Sequence, residues 1–79
     1  MISNDELTIL LKAAFPDAVV NLKDLTGGKD HWQAEIISSE FVGLSPLARH
    51  RKVYAALAEE MKGPIHALSL RTLAPGETA

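Results

Sequence analysis

Two histidines carry most of the chemistry this sequence has to offer. His66 stands in Gly63-Pro64-Ile65-His66-Ala67-Leu68-Ser69-Leu70, a turn followed by an apolar run that reads as a buried strand, and His31 opens a second alternating stretch. A neutral imidazole is a common metal ligand, and it changes charge between about pH 5 and 8. Two histidines do not satisfy a structural zinc, which takes four ligands, and no third or fourth ligand stands at the usual spacing. They can instead complete a site half supplied by another protein, as two histidines do on one iron of a Rieske [2Fe-2S] centre. The chain has no cysteine, so disulfides and thiol catalysis are excluded and any sulfur ligand has to come from outside. Spacing alone leaves a second reading open, in which His66 is hydrogen-bonded to backbone at a strand start and His31 is solvated.

A basic run offers different chemistry. Arg49, His50, Arg51 and Lys52 follow one another, and Arg71 adds a cation later in the chain. A helix spreads consecutive residues around its circumference, so the four do not share one face. They read either as a solvated flank, with Arg49 and Lys52 paired locally to acidic residues, or as a phosphate-contacting patch for nucleic acid whose binding falls steeply with salt. The formal charge of −2 and the lack of aromatics for base stacking favour the flank. Catalytic patterns are poor. None of Ser38, Ser39, Ser45 and Ser69 stands in a glycine-flanked nucleophile elbow, and Gly27-Gly28 is too short to cradle a phosphate. The expectation is a protein that is not an enzyme.

Several elements have to position these residues. Ser3 with Glu6 fits a capping box, and Leu7, Leu10, Leu11 and Ala14 recur at helical spacing, which predicts a first helix over 4–14 ended by Phe15-Pro16-Asp17. Residues 18–25 alternate partly, as a half-buried strand does, and Thr26-Gly27-Gly28-Lys29-Asp30 reads as a hairpin loop. From His31 to Ile37 the alternation is cleaner, with Trp32, Ala34 and Ile36 on one face. Residues 38–44 connect to a helix capped by Ser45 with Pro46 at its first position, and a short helical turn fits somewhere in 41–49. That helix is expected to be the longest element, with a core stripe of Leu47, Tyr54, Leu57, Ala58 and Met61 and an end at Gly63-Pro64. A third strand is expected over about 65–73, and residues 74–79 as a frayed tail.

The order helix, strand, strand, helix, strand predicts an α+β two-layer sandwich with a three-stranded mixed sheet. Its first two strands are antiparallel, and the helical crossover makes the third parallel to the second. Parallel pairing then brings His31 and His66 to the same end of the sheet. With 79 residues, 47% of them hydrophobic and 23% charged, the chain is read as one domain over 1–79 with a single small core. No apolar stretch approaches the roughly 20 residues of a bilayer helix, and no basic segment leads into an apolar one at the N-terminus, so a cytoplasmic protein is expected.

The run Phe41-Val42-Gly43-Leu44-Ser45-Pro46-Leu47-Ala48-Arg49-His50-Arg51-Lys52-Val53-Tyr54, followed by Ile65-His66-Ala67-Leu68, resembles the F-x-G-x-S-x-x-x-R-H-R-x-V-Y signature and I-H-A-L strand start of the BolA family. The short chain and Asp30-His31-Trp32 look most like its bacterial IbaG (YrbA-like) branch. The resemblance implies a fold related to class II KH domains and partnership with a monothiol glutaredoxin. In such a pair glutaredoxin and glutathione supply thiolates to a shared [2Fe-2S] cluster, none of which is bound by the isolated chain. The strand-start histidine matches His66, and His31 is the candidate for the second ligand, from the loop between the first strands. The resemblance also implies transcription regulation through DNA, although the G-x-x-G clamp of KH domains is missing; Arg49, Arg51, Lys52 and Arg71, read from the basic residues above, are the candidate contacts for such a regulator. A homodimer of the cluster-free form is left open.

Overall fold

Ser3 caps the first helix, α1 (Asn4–Ala14), as its spacing predicts: its hydroxyl accepts from the Glu6 amide at 3.1 Å and the Glu6 carboxylate accepts from the Ser3 amide at 3.4 Å. The computed structural model describes residues 2–77. After α1 come strands β1 (Val19–Asp24) and β2 (His31–Ile37), a 3-10 turn (Ser39–Phe41), helices α2 (Pro46–Ala56) and α3 (Ala58–Met61), and strand β3 (Ala67–Leu73). The sheet has three strands in the order β1-β2-β3. β1 runs antiparallel to β2, and β3 runs parallel to it with His31 opposite Ala67 and Ile37 opposite Leu73. This is the expected α+β architecture with a mixed sheet.

Alternation decides which face of the sheet the helices cover. Trp32, Ala34 and Ile36 on β2 are buried, and Leu7 and Leu11 of α1 join them in one core with Phe15, Phe41, Val53, Leu57 and Ile65. The other face carries the exposed residues Lys23, Gln33 and Ser69. Burial of each large core side chain contributes about 1.5–3 kcal/mol, which is what holds the two layers together.

The second helical segment departs from expectation in two ways. The helix is not one long element, since it breaks at Leu57 into α2 and the single turn α3, and α2 has the same 11 residues as α1. No glycine or proline marks the break, where Leu57 leaves helical geometry at φ −108° and ψ 19° while its side chain is fully buried. The core stripe also shifts. Val53 and Leu57 are buried, whereas Leu47 and Tyr54 are exposed. The helical turn expected over 41–49 lies earlier, at Ser39–Phe41, where the Ser38 hydroxyl accepts from the Glu40 amide.

Two further expectations change at the ends of β3. The strand starts at Ala67, so His66 precedes it and is exposed rather than buried in an apolar run. The tail docks as far as Glu77: Ala74 is buried, and its amide donates to the Glu77 carboxylate at 2.8 Å. Residues 78 and 79 of the tail that was expected to fray lie outside the described residues.

Candidate metal centre

The loop between β1 and β2 is organised around Asp24. Its Oδ1 accepts from the amides of Thr26 and Gly27 at 3.3 and 2.9 Å, and its Oδ2 accepts from the Lys29 amide at 3.1 Å. Gly27 and Lys29 take positive φ of 79° and 60°, which lets the chain reverse within the loop. The Leu25 amide then closes the hairpin on the His31 carbonyl at 2.8 Å. A second tie runs to the other histidine segment: the Asp30 carbonyl accepts from the His66 amide at 2.8 Å and from the Ala67 amide at 3.3 Å. Backbone hydrogen bonds, rather than side-chain contacts, bring the hairpin loop and the entrance to β3 together.

The imidazoles of His31 and His66 meet there edge to face, with ring centroids 5.9 Å apart and an interplanar angle of 87°. Parallel pairing therefore places both rings at one end of the sheet, as the topology argument required. Both side chains are accessible, His31 at 40% and His66 at 67%. The residue that sequence reasoning missed is Asp30. Its Oδ1 lies 3.0 Å from His31 Nδ1 and its Oδ2 lies 3.3 Å from His66 Nδ1. Donor atoms of Asp30, His31 and His66 all fall within 4.8 Å of one another, so a third potential ligand does exist. The signal was its adjacency to His31, but only the fold shows that the same carboxylate also reaches His66.

Asp30 is held below the ordinary carboxylate range, chiefly by the His31 hydrogen bond, with the Thr26 hydroxyl adding to it. That hydroxyl donates to Oδ1 at 3.1 Å. Gly28 leaves room for the arrangement, because a Cβ there would stand 3.1 Å from Asp30 Oδ1.

The basic residues are not gathered into a patch. The Arg49 side chain is only 11% exposed: Nε donates to the Leu44 carbonyl at 3.0 Å, Nη1 to the Thr72 carbonyl at 3.3 Å, and Nη1 and Nη2 to the two Glu77 oxygens at 2.6 and 2.9 Å. Its partner is thus remote in sequence rather than local. The Glu77 bond raises the Arg49 pKa, and Glu77 is lowered to about 2, chiefly by Arg49 and then by the Ala74 amide. Arg71 Nε lies 3.4 Å from Glu35 Oε2. Arg51 and Lys52 are exposed and form no ion pair among the described residues.

Comparison with known proteins places the chain in a family. A family model described as BolA-like protein matches residues 10–77. Human BolA-like protein 1 is 42% identical over 74 residues, covering 85% of this chain and 54% of that protein. The chain thus spans about half the length of such relatives. The protein RP812 of Rickettsia prowazekii is 39% identical over 72 residues, which are 91% of this chain and 94% of that one. A Vibrio cholerae relative named DNA-binding transcriptional regulator BolA is 40% identical over 58 residues, 68% of this chain and 55% of its own length. The solved structure of BolA1 from Arabidopsis thaliana superposes with a TM-score of 0.86 at 27% identity, covering 99% of this chain and all of that one. With the signature run, the mixed sheet and the matched span in agreement, this chain belongs to the BolA-like family.

Proposed function

We propose that the chain is a non-enzymatic iron-sulfur trafficking and iron-sensing adaptor: it binds a monothiol glutaredoxin and lends His66 and His31 to a [2Fe-2S] cluster that the two proteins share as cargo. The observation that carries this reading is the convergence of two accessible imidazoles, 5.9 Å apart, at one end of the sheet in a chain without cysteine. The donor set fits such a cluster in part. Imidazole nitrogen replaces thiolate on one iron in Rieske centres, so two histidines suit one iron, and the remaining thiolates belong to glutaredoxin and glutathione. Backbone bonds from the His66 and Ala67 amides to the Asp30 carbonyl hold the two segments side by side before a partner arrives, which lowers the ordering cost of binding. Protons compete with metal for imidazole, so retention of the cluster is expected to fall on acidification.

The test is reconstitution with glutaredoxin, glutathione, iron and sulfide, followed by visible circular dichroism and by paramagnetic resonance of the reduced state. His66→Ala is expected to change both spectra; spectra identical to those of the unsubstituted pair overturn the ligand assignment. His31→Ala in the same experiment separates one histidine ligand from two.

A second reading rests on the likeness to the Vibrio cholerae relative named as a DNA-binding regulator. Arg49 and Arg71 are engaged within the fold, so of the four candidate contacts Arg51 and Lys52 are left for phosphate. Duplex DNA titrated at two salt concentrations tests this. Each of Arg51→Ala and Lys52→Ala is expected to reduce the salt slope by about 1. No binding at low salt removes the reading.

A further inference from the structure

We infer that Asp30 is a positioning residue: its carboxylate takes the Nδ1–H of His31, and so makes His31 Nε2 the coordinating atom. This rests on the ligand reading above. An ionised carboxylate only accepts hydrogen bonds, so a neutral ring against it carries its proton on Nδ1 and leaves the Nε2 lone pair free. Oδ1 is hydrogen-bonded to His31 Nδ1 at 3.0 Å, whereas His66 Nδ1 stands 3.3 Å from Oδ2 without a hydrogen bond. Oδ1 is further occupied by the Thr26 hydroxyl at 3.1 Å. Among the described residues His31 Nε2 has no hydrogen-bond partner, so it is left free as a donor atom. The same division of labour is general at metal sites, where a carboxylate on the far ring nitrogen fixes tautomer and orientation. Asp30 is held at that point through its own carbonyl, which accepts the His66 and Ala67 amides.

The deciding measurement uses the isolated full chain, labelled with nitrogen-15, in long-range proton–nitrogen correlation spectra recorded above the pH at which histidine protonates. His50, whose ring has no hydrogen-bond partner among the described residues, serves as internal reference for a ring free to prefer the Nε2–H form. His31 is expected to show Nδ1–H with unprotonated Nε2, and Asp30→Ala is expected to move it to the pattern of His50. The backbone amide spectrum checks that the variant is folded. In the reconstituted pair, Asp30→Ala is expected to weaken cluster retention by about 10- to 100-fold.

A native His31 ring that matches His50, or a His31 signal unmoved by Asp30→Ala in a folded protein, overturns the inference and leaves the ligand reading standing. A His31 ring that follows Asp30 while His31→Ala leaves the cluster spectra unchanged overturns His31 as a ligand instead. A retention unchanged by Asp30→Ala overturns the positioning role.

Discussion

At the end of the sheet where β2 and β3 begin, two accessible imidazoles stand beside one carboxylate, which is hydrogen-bonded to His31. At the opposite end, about 20 Å away along the strands at 3.3 Å per residue, a nearly buried guanidinium ties three chain segments together. Both ends are polar, yet they do different work. Arg49 spends its donors on the Leu44 and Thr72 carbonyls and on Glu77, so it locks the loop before α2, the end of β3 and the tail into one unit. Asp30, His31 and His66 lock little beyond themselves and keep donor atoms toward solvent. Much of the run over 41–54 that carries the family resemblance lies at the scaffold end: Phe41 packs on Phe15 with ring centroids 5.2 Å apart, Gly43 takes a φ of 77°, and Ser45 caps α2. Its last residue reaches the other end, where the Tyr54 hydroxyl donates to the Leu68 carbonyl at 3.3 Å, and the Ile65-His66-Ala67-Leu68 part of the resemblance holds one of the imidazoles.

The largest expected effect breaks the scaffold end. Phe41→Ala empties a fully buried site and is expected to cost about 3–5 kcal/mol in chemical denaturation, a large share of a small domain's stability. Arg49→Ala comes next. It leaves the Leu44 and Thr72 carbonyls without this donor and releases Glu77, so the thermal midpoint should fall, by less than for Phe41→Ala, and amide exchange should rise in residues 74–77. Should Arg49→Ala instead leave stability unchanged while abolishing DNA binding, the division between the two ends would be wrong.

Acid separates the ends in a second way. Asp17 accepts from the Ser38 hydroxyl at 2.7 Å and the Ser39 amide at 2.8 Å, and these bonds lower its pKa from 3.8 to about 2. Glu77 is lowered from 4.5 to about 2 by Arg49. Because both carboxylates are more acidic in the folded state, their stabilisation is complete above their ordinary values and is lost as pH falls toward about 2. Asp17→Asn and Glu77→Gln should each flatten that acid limb in thermal melts. Loss of bound cluster on acidification, in contrast, belongs to the histidine end and should precede it.

The smallest stability effect is expected at that histidine end. His31→Ala and His66→Ala should each change folding stability by no more than about 0.5 kcal/mol, as exposed substitutions commonly do, while altering the spectra of the reconstituted cluster. A substantial destabilisation by His66→Ala would make that ring a structural residue and erase the contrast.

Local order in the sequence made most of the fold legible. Ser3 and Glu6 form the capping box that their spacing announced, Trp32, Ala34 and Ile36 bury the face that their alternation announced, and the helical connection gave β3 its parallel direction. The break at Leu57 was not legible, because an alanine- and glutamate-rich segment favours helix throughout and no residue type marks the change in backbone geometry there. Nor was the partner of Arg49, since Glu77 is 28 residues away and a sequence does not show which remote carboxylate the tail will deliver.

The site divides in the same manner. By itself the sequence determined the residue types: three histidines, no cysteine, and a strand order that sends His31 and His66 to one end of a parallel pair. Register and loop closure, set by the bonds from Asp24 within the hairpin and from the Asp30 carbonyl to the β3 entrance, were decided only in the tertiary structure. They bring Asp30 under both rings. Spacing along a chain states which groups are available, but a carboxylate that stands beside two imidazoles 35 residues apart is defined by distances of about 3 Å, which only the folded backbone sets.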